Sequence, residues 1–262
     1  MAKKLFLPKI DEDLWQRFIG TFDFEEQFAF GLSSQDAQKY VALKNIKLSD
    51  RYYIWDYNYK LPETLLNLHE ILAVTQTLYI FKHDQLTRII ASKNVVWKPR
   101  VLKICNLNIS ALELSEIIGS FTKEIKLKAM NPNIAFAEII KNAPNIEVLK
   151  IFYKALKMNN VTWLEDLYKY KEGKNFRQLY IHLDTIEFDV EMLKKFVMTK
   201  SANGVSIRIV YSAFTEQKEF HRFADKMSKL FVETSFDSIS KDVPSICLEI
   251  DHFQLSNVYT DI

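Results

Sequence analysis

The chain has 262 residues, 48% hydrophobic and 13% aromatic, enough apolar surface for a large core and too much for a disordered polymer. Its 35 basic and 33 acidic residues leave a net charge of +2, so the whole-molecule field selects neither nucleic acid nor a membrane surface. Five glycines disfavour phosphate-cradling loops, since about 7% is usual, and the two cysteines, Cys105 and Cys247, lack metal-ligand spacing. The start Met1-Ala2-Lys3-Lys4 leads into no long apolar segment. These features predict a reduced, soluble protein of the cytoplasm or nucleus, with no metal, cofactor, nucleic acid or membrane partner.

In chain order, Asp11-Glu12-Asp13 suits a helix N-terminus, and Leu14, Trp15, Phe18, Ile19 and Phe22 follow at helical spacing. Phe24, Phe28, Phe30 and Leu32 form a second apolar group, and Tyr40, Val41 and Leu43 a third, predicting three short helices. A segment of about forty residues is near the lower size limit for independent stability, so it should lean on another surface. Leu7-Pro8, Leu14-Trp15, Phe18-Ile19, Phe22-Asp23-Phe24 and Phe28-Ala29-Phe30-Gly31-Leu32-Ser33-Ser34 resemble an F-box. That resemblance implies a Skp-type adaptor within a cullin complex as partner, contacted by Leu7, Pro8, Leu14, Phe18, Ile19, Phe22, Phe28 and Leu32.

Beyond residue 45 the chain repeats itself. Ile54-Trp55-Asp56, Leu78-Tyr79-Ile80, Leu102-Lys103-Ile104, Ile125-Lys126-Leu127 and Leu149-Lys150-Ile151 begin 24, 24, 23 and 24 residues apart. Leu179-Tyr180-Ile181, Ile207-Arg208-Ile209 and Leu248-Glu249-Ile250 follow at wider intervals. Between these strands lie helix starts at Pro62, Asp84, Ser110, Thr162 and Asp189, each leading into apolar residues on one face; Leu65, Leu68 and Leu72 form the first such face. Pro144, Gly173 and Gly204 mark helix exits, and Glu216 to Phe231 forms a closing helix before a last strand at Ile246 to Ile250. One strand and one one-sided helix per unit predict a leucine-rich-repeat-like solenoid over 46–262, with a parallel sheet and covering helices. The fold class is therefore α/β, with a three-helix F-box-like segment over 1–45. Asn160 to Leu167, Leu179 to Ile181 and Met192 to Phe196 are similar to the F-box-associated region of the large nematode F-box families.

Candidates for chemistry are poor. The five histidines, His69, His83, His182, His221 and His252, show no paired metal spacing. Asp184, Glu187, Asp189 and Glu191 lie between a strand and a helix, where capping explains them better than acid–base work. Arg51 to Lys60 alternates with period two and reads as a strand rather than a base-stacking platform. No catalytic residue is predicted.

In each triplet the outer residues face the helices and the middle one points away. The middles Trp55, Tyr79, Lys103, Lys126, Lys150, Tyr180 and Arg208 are the predicted contacts for a protein target bearing an acidic segment; Glu249 ends the series. The resemblance implies a substrate receptor of an SCF-type ubiquitin ligase. The alternative is a stand-alone protein-binding repeat module.

Overall fold

The computed structural model describes residues 14, 17–19, 21, 30, 46–55, 71–81, 95–107, 109–130, 134–152, 162–184, 188–211, 217–234, 243–250 and 256–260. The chain divides into two compact units, Met1–Ile46 and Lys47–Ile262. In the first, Leu14 and residues 17–19 are helical, and Thr21 donates from its backbone N–H and hydroxyl to the Phe18 carbonyl. Phe30, in the second predicted group, is also helical and partly buried, and the remaining positions of the three predicted helices lie outside the described residues.

The second unit is α/β, built on one mostly parallel sheet of eleven strands. Its strands are β1 (Ile46–Trp55), β2 (Ile71–Phe81), β3 (Val95–Trp97), β4 (Val101–Leu107), β5 (Glu124–Met130), β6 (Val148–Ile151), β7 (Phe176–Leu183), β8 (Ser201–Tyr211), β9 (Val232–Thr234), β10 (Ser245–Ile250) and β11 (Ser256–Thr260). The helices are α1 (Ala111–Ile117), α2 (Phe136–Asn142), α3 (Trp163–Tyr170), α4 (Val190–Lys200) and α5 (Gln217–Met227). Strands β2, β4, β5, β6, β7, β8 and β10 are neighbours in that order and all parallel; β3 also runs parallel to β2.

The outer triplet residues explain why the sheet forms. Leu78 and Ile80, Leu102 and Ile104, Ile125 and Leu127, Leu149 and Ile151, Leu179 and Ile181, and Ile207 and Ile209 are all buried. They share one continuous core with Leu114 and Ile117 of α1, Ile139 and Ile140 of α2, Leu164 and Leu167 of α3, and Leu193 and Phe196 of α4. With Phe136 of α2 and Val197 of α4, also buried in that core, the helical positions recur at three and four residues, giving an apolar stripe. Edge-on aromatic contacts run through the helical layer from Phe136 to Trp163 (6.3 Å), to Phe188 (5.7 Å) and on to Phe223 (4.8 Å). The series links α2, α3, the segment that leads into α4, and α5.

Capping follows the sequence at two helices and departs from it at a third. Ser110 and Glu113 form a reciprocal capping box on α1, and the Asp189 carboxylate accepts from the Glu191 and Met192 amides at the start of α4. Thr162 precedes α3 without a side-chain cap bond; its hydroxyl lies 3.5 Å from Asp166. The unit junctions use one backbone device. The Arg100 carbonyl accepts the Lys123 and Glu124 amides, the Lys123 carbonyl those of Glu147 and Val148, and the Glu147 carbonyl those of Arg177 and Gln178. The same device therefore joins β4 to β5, β5 to β6 and β6 to β7.

The structure corrects several expectations. The sheet is not wholly parallel, and Ile246 to Ile250 does not hold the last strand: β11 returns antiparallel to β10, and β9 pairs antiparallel with β11. Residues 251–255 are too few for the crossover of a dozen or more residues that a parallel return needs. Leu72, expected on a helix, belongs to β2 and pairs with Val95. The closing helix stops at Met227, short of Phe231. Gly173, with φ of 70°, lies in the bend after α3, which Lys171 closes, whereas Gly204 (φ 67°) sits inside β8. There the register passes from Phe176↔Ser201 to Gln178↔Ser206, so β8 carries surplus residues that a positive-φ glycine lets it absorb. The predicted helices near Leu65 and Leu86 lie outside the described residues.

One charged residue is buried among these junctions. Lys171, which closes α3, donates to the Glu172 carbonyl and, at 2.7 Å, to Asn175 Oδ1. Burial, reinforced by Lys123 and Lys200, lowers its pKa to about 8, with Glu147 and Glu172 opposing. Between about 8 and the ordinary 10.5 the folded chain binds fewer protons than the unfolded one, so this group adds stability as pH rises. Urea unfolding should show the stability difference between the parent and Lys171→Met shifting in the parent's favour across that window. Leu149→Ala should cost about 2–5 kcal/mol in the same assay, because it opens a cavity in a fully buried strand position.

Candidate functional site

The sheet face opposite the helices carries the middle residues. Tyr79↔Lys103↔Lys126↔Lys150↔Tyr180↔Arg208 are direct partners across six strands, so six predicted residues form one row perpendicular to the strands. Parallel neighbours lie about 4.8 Å apart, which sets the spacing of the row.

Both ends differ from the prediction. Arg208 is opposite Cys247, whereas Glu249 pairs with Val210 two residues along. The last triplet in register is therefore Ile246-Cys247-Leu248; its apolar middle residue hid it. Glu249 still reaches the row, because its carboxylate accepts from Arg208 Nε at 2.8 Å and from Nη2. At the other end Tyr53 stacks on Tyr79, with centroids 4.6 Å apart and planes 8° from parallel. Tyr53 is the residue missed there. The alternation Tyr52-Tyr53-Ile54 was equally available, since Ile54 is buried and Tyr53 exposed. Trp55 is in β1 two residues further on, and its side chain lies outside the described residues.

Three of the four cations in the row are engaged. Lys103 donates to the Tyr79 hydroxyl at 2.9 Å and lies 4.6 Å from that ring's centroid; this bond chiefly lowers the Tyr79 pKa. Lys126 pairs with Glu124, two residues earlier on its own strand, at 2.8 Å. Arg208 holds Glu249 and lies 5.6 Å from the Tyr180 ring. Lys150 makes no ion pair or side-chain hydrogen bond among the described residues. Its pKa is lowered first by burial, then by Lys126 and Lys103, with Glu124 opposing.

Beside Lys150 the face forms a cleft of about 650 Å³. Phe152 and Tyr180, 4.8 Å apart, give it an aromatic wall, and Gln178, Ser206, Arg208 and Cys247 line the rest. Burial pushes the Cys247 thiol up to about 11, so it is a protonated wall atom rather than a nucleophile at neutral pH. Tyr180 Oη lies 3.0 Å from His182 Nε2, which fixes the ring on this face.

Of the predicted adaptor contacts, Leu14 and Phe18 are exposed at 60% and 53%, while Ile19 is buried at 3%. Leu7, Pro8, Phe22, Phe28 and Leu32 lie outside the described residues. Among the described residues no group of three or more His, Cys, Asp and Glu side chains could hold a metal ion, and no helix is long and apolar enough to cross a membrane. Neither a protein-family model nor a curated protein gives a match to the chain.

Lys150 directly opposes Lys126, with Lys103 one strand further along the row, and this like-charge run works against folding. Lys150→Met should therefore raise stability by up to about 1 kcal/mol in low salt. Chemical unfolding should show added salt, which screens the repulsion, closing that gap.

Proposed function

We propose that the chain is a non-catalytic substrate receptor of an SCF-type cullin ubiquitin ligase. In this reading Lys47–Ile262 is a leucine-rich-repeat-like solenoid whose open face holds a target protein, and the N-terminal segment binds a Skp-type adaptor. The observation that carries the first half is the in-register row Tyr79, Lys103, Lys126, Lys150, Tyr180 and Arg208, which puts aromatic anchors and cations on one face. The carbonyl device recurring at Arg100, Lys123 and Glu147 supports the solenoid, since it repeats at the sequence period. The adaptor half rests on the F-box resemblance and on Leu14 and Phe18, which lie four residues apart and present apolar side chains to solvent.

Function then needs no chemistry on this chain. Tethering raises the target's effective concentration beside the ubiquitin-conjugating enzyme, and transfer follows from proximity. The test is co-purification of a Skp-type adaptor with the tagged full chain. Leu14→Asp with Phe18→Asp should reduce adaptor capture to background with little change in thermal unfolding, because both sites are exposed. Reversal of Lys103, Lys126 and Lys150 to Glu should spare the adaptor and weaken target capture. Failure of the parent chain to bring down adaptor would sink the ligase reading and leave a stand-alone binding module.

A further inference from the structure

The open face is uneven, and its unevenness specifies a ligand. We infer that the cleft between Lys150 and Arg208 takes an unphosphorylated Glu or Asp side chain together with an adjoining apolar side chain of the same bound peptide segment. This rests on the protein-binding reading above and adds the chemistry of what is bound.

Charge decides the first half. Along the row Lys103 is bonded to Tyr79, Lys126 to Glu124 and Arg208 to Glu249. Among the described residues Lys150 alone of these four has no partner, and none of the described residues that line the cleft is a carboxylate. A carboxylate placed there would meet one open ammonium, with Ser206 and Gln178 able to donate to its remaining lone pairs. Binding would also relieve a cation that burial and two other lysines disfavour.

The same count argues against a phosphoryl group or a nucleic-acid backbone. A phosphoryl group carries about −1.5 to −2 charges and calls for more than one open cation. Arg208 has already committed Nε and Nη2 to Glu249. A nucleic-acid strand needs several phosphates neutralised in succession, and the next two lysines along the row are engaged.

The aromatic wall decides the second half. Phe152 and Tyr180 stand 4.8 Å apart at the Lys150 side, and Val258 adds apolar surface to the same cleft. A volume of about 650 Å³ exceeds what one carboxylate fills, and the apolar lining favours a hydrophobic neighbour. Successive side chains of an extended strand point to opposite sides, so the two groups enter together from positions i and i+2, or from adjacent positions at a turn.

The experiment is random-peptide display against the purified full chain, with a second arm in which the library is phosphorylated by kinases before panning. The inference expects enriched peptides with Glu or Asp within two positions of an aromatic or large aliphatic residue. A synthetic peptide of that pattern should bind Lys150→Glu at least about tenfold more weakly, and changing its acid to Lys should restore binding to that variant. Should Lys150→Glu fold poorly, Lys150→Met reads the same loss without charge reversal. Enrichment without an acidic residue, tighter binding in the phosphorylated arm, or indifference to both Lys150 variants overturns the inference. Adaptor co-purification from the same preparation keeps the two readings apart. Adaptor captured while the peptide prediction fails defeats only the cleft assignment, and the converse result defeats only the ligase connection.

Discussion

Burial of the two outer residues of each strand triplet is the constraint on which the rest of this protein depends. A strand with an apolar pair on one side and a helix with one apolar stripe cannot complete a core within a single unit of about two dozen residues. Stacking completes it, and the parallel order of β2 through β8 and β10 is the consequence. Full burial of a Leu or Ile side chain contributes about 1.5–3 kcal/mol, so each strand brings several kcal/mol to the stack. Two unit charges about 5 Å apart in a water-like medium repel by only about 1 kcal/mol. The inward pair therefore outweighs whatever sits at the middle position, and a row of lysines is tolerated because the core does not depend on it.

That freedom is used differently on the two sides of the sheet. On the helical side lysines are absorbed into structure. Lys141, Lys169 and Lys200 occupy the last turns of their helices, where the dipole favours a cation, and lie 4.8, 5.1 and 5.5 Å from the rings of Tyr170, Tyr170 and Tyr168. Because Lys141 is on α2 and Tyr170 on α3, and Lys200 on α4 and Tyr168 on α3, two of these contacts staple α2 to α3 and α3 to α4. Lys200 Nζ also donates to the Lys171 carbonyl at 2.8 Å. On the open face Lys103 and Arg208 bond across to a neighbouring strand and Lys126 pairs along its own, whereas Lys150 has no such partner among the described residues.

The repeat, the inward pairs and the row from Tyr79 to Arg208 were legible because period-two alternation is a local property that neighbouring units repeat. The ends were not, for reasons that are physical. On β10 the stretch Ile246 to Ile250 satisfies the triplet pattern in two registers, and only pairing with β8 selects Cys247 over Glu249. At β1 the same ambiguity separates Tyr53 from Trp55, and the choice is visible in the Tyr53–Tyr79 stack. Gly204 looked like a helix exit because a positive-φ glycine serves a C-cap and a bulge equally well. The cleft beside Lys150 had no sequence signal of its own. It arises from residues of β6, β7, β8, β10 and β11 brought side by side, and Phe152, Ser206 and Val258 fall outside the triplet middles.

Adjacent strands show why Lys150 has no ion-pair partner among the described residues. On β5 an acid two residues before the middle lysine lies on the same face, and Glu124 meets Lys126 at 2.8 Å. On β6 the equivalent position is Val148, which is in direct register with Glu124, while Lys150 is in register with Lys126. The backbone therefore offers Lys150 the same ion pair, and a single side chain withholds it. On β7 the corresponding residue is Gln178, also in register and also uncharged. The fold neutralises a lysine where an acid is supplied and exposes one where it is not, so the open cation at the centre of the face is a property of the sequence laid on the lattice. It costs a little stability, and it leaves beside the aromatic wall a lysine whose charge no described residue pairs and which a bound carboxylate could meet.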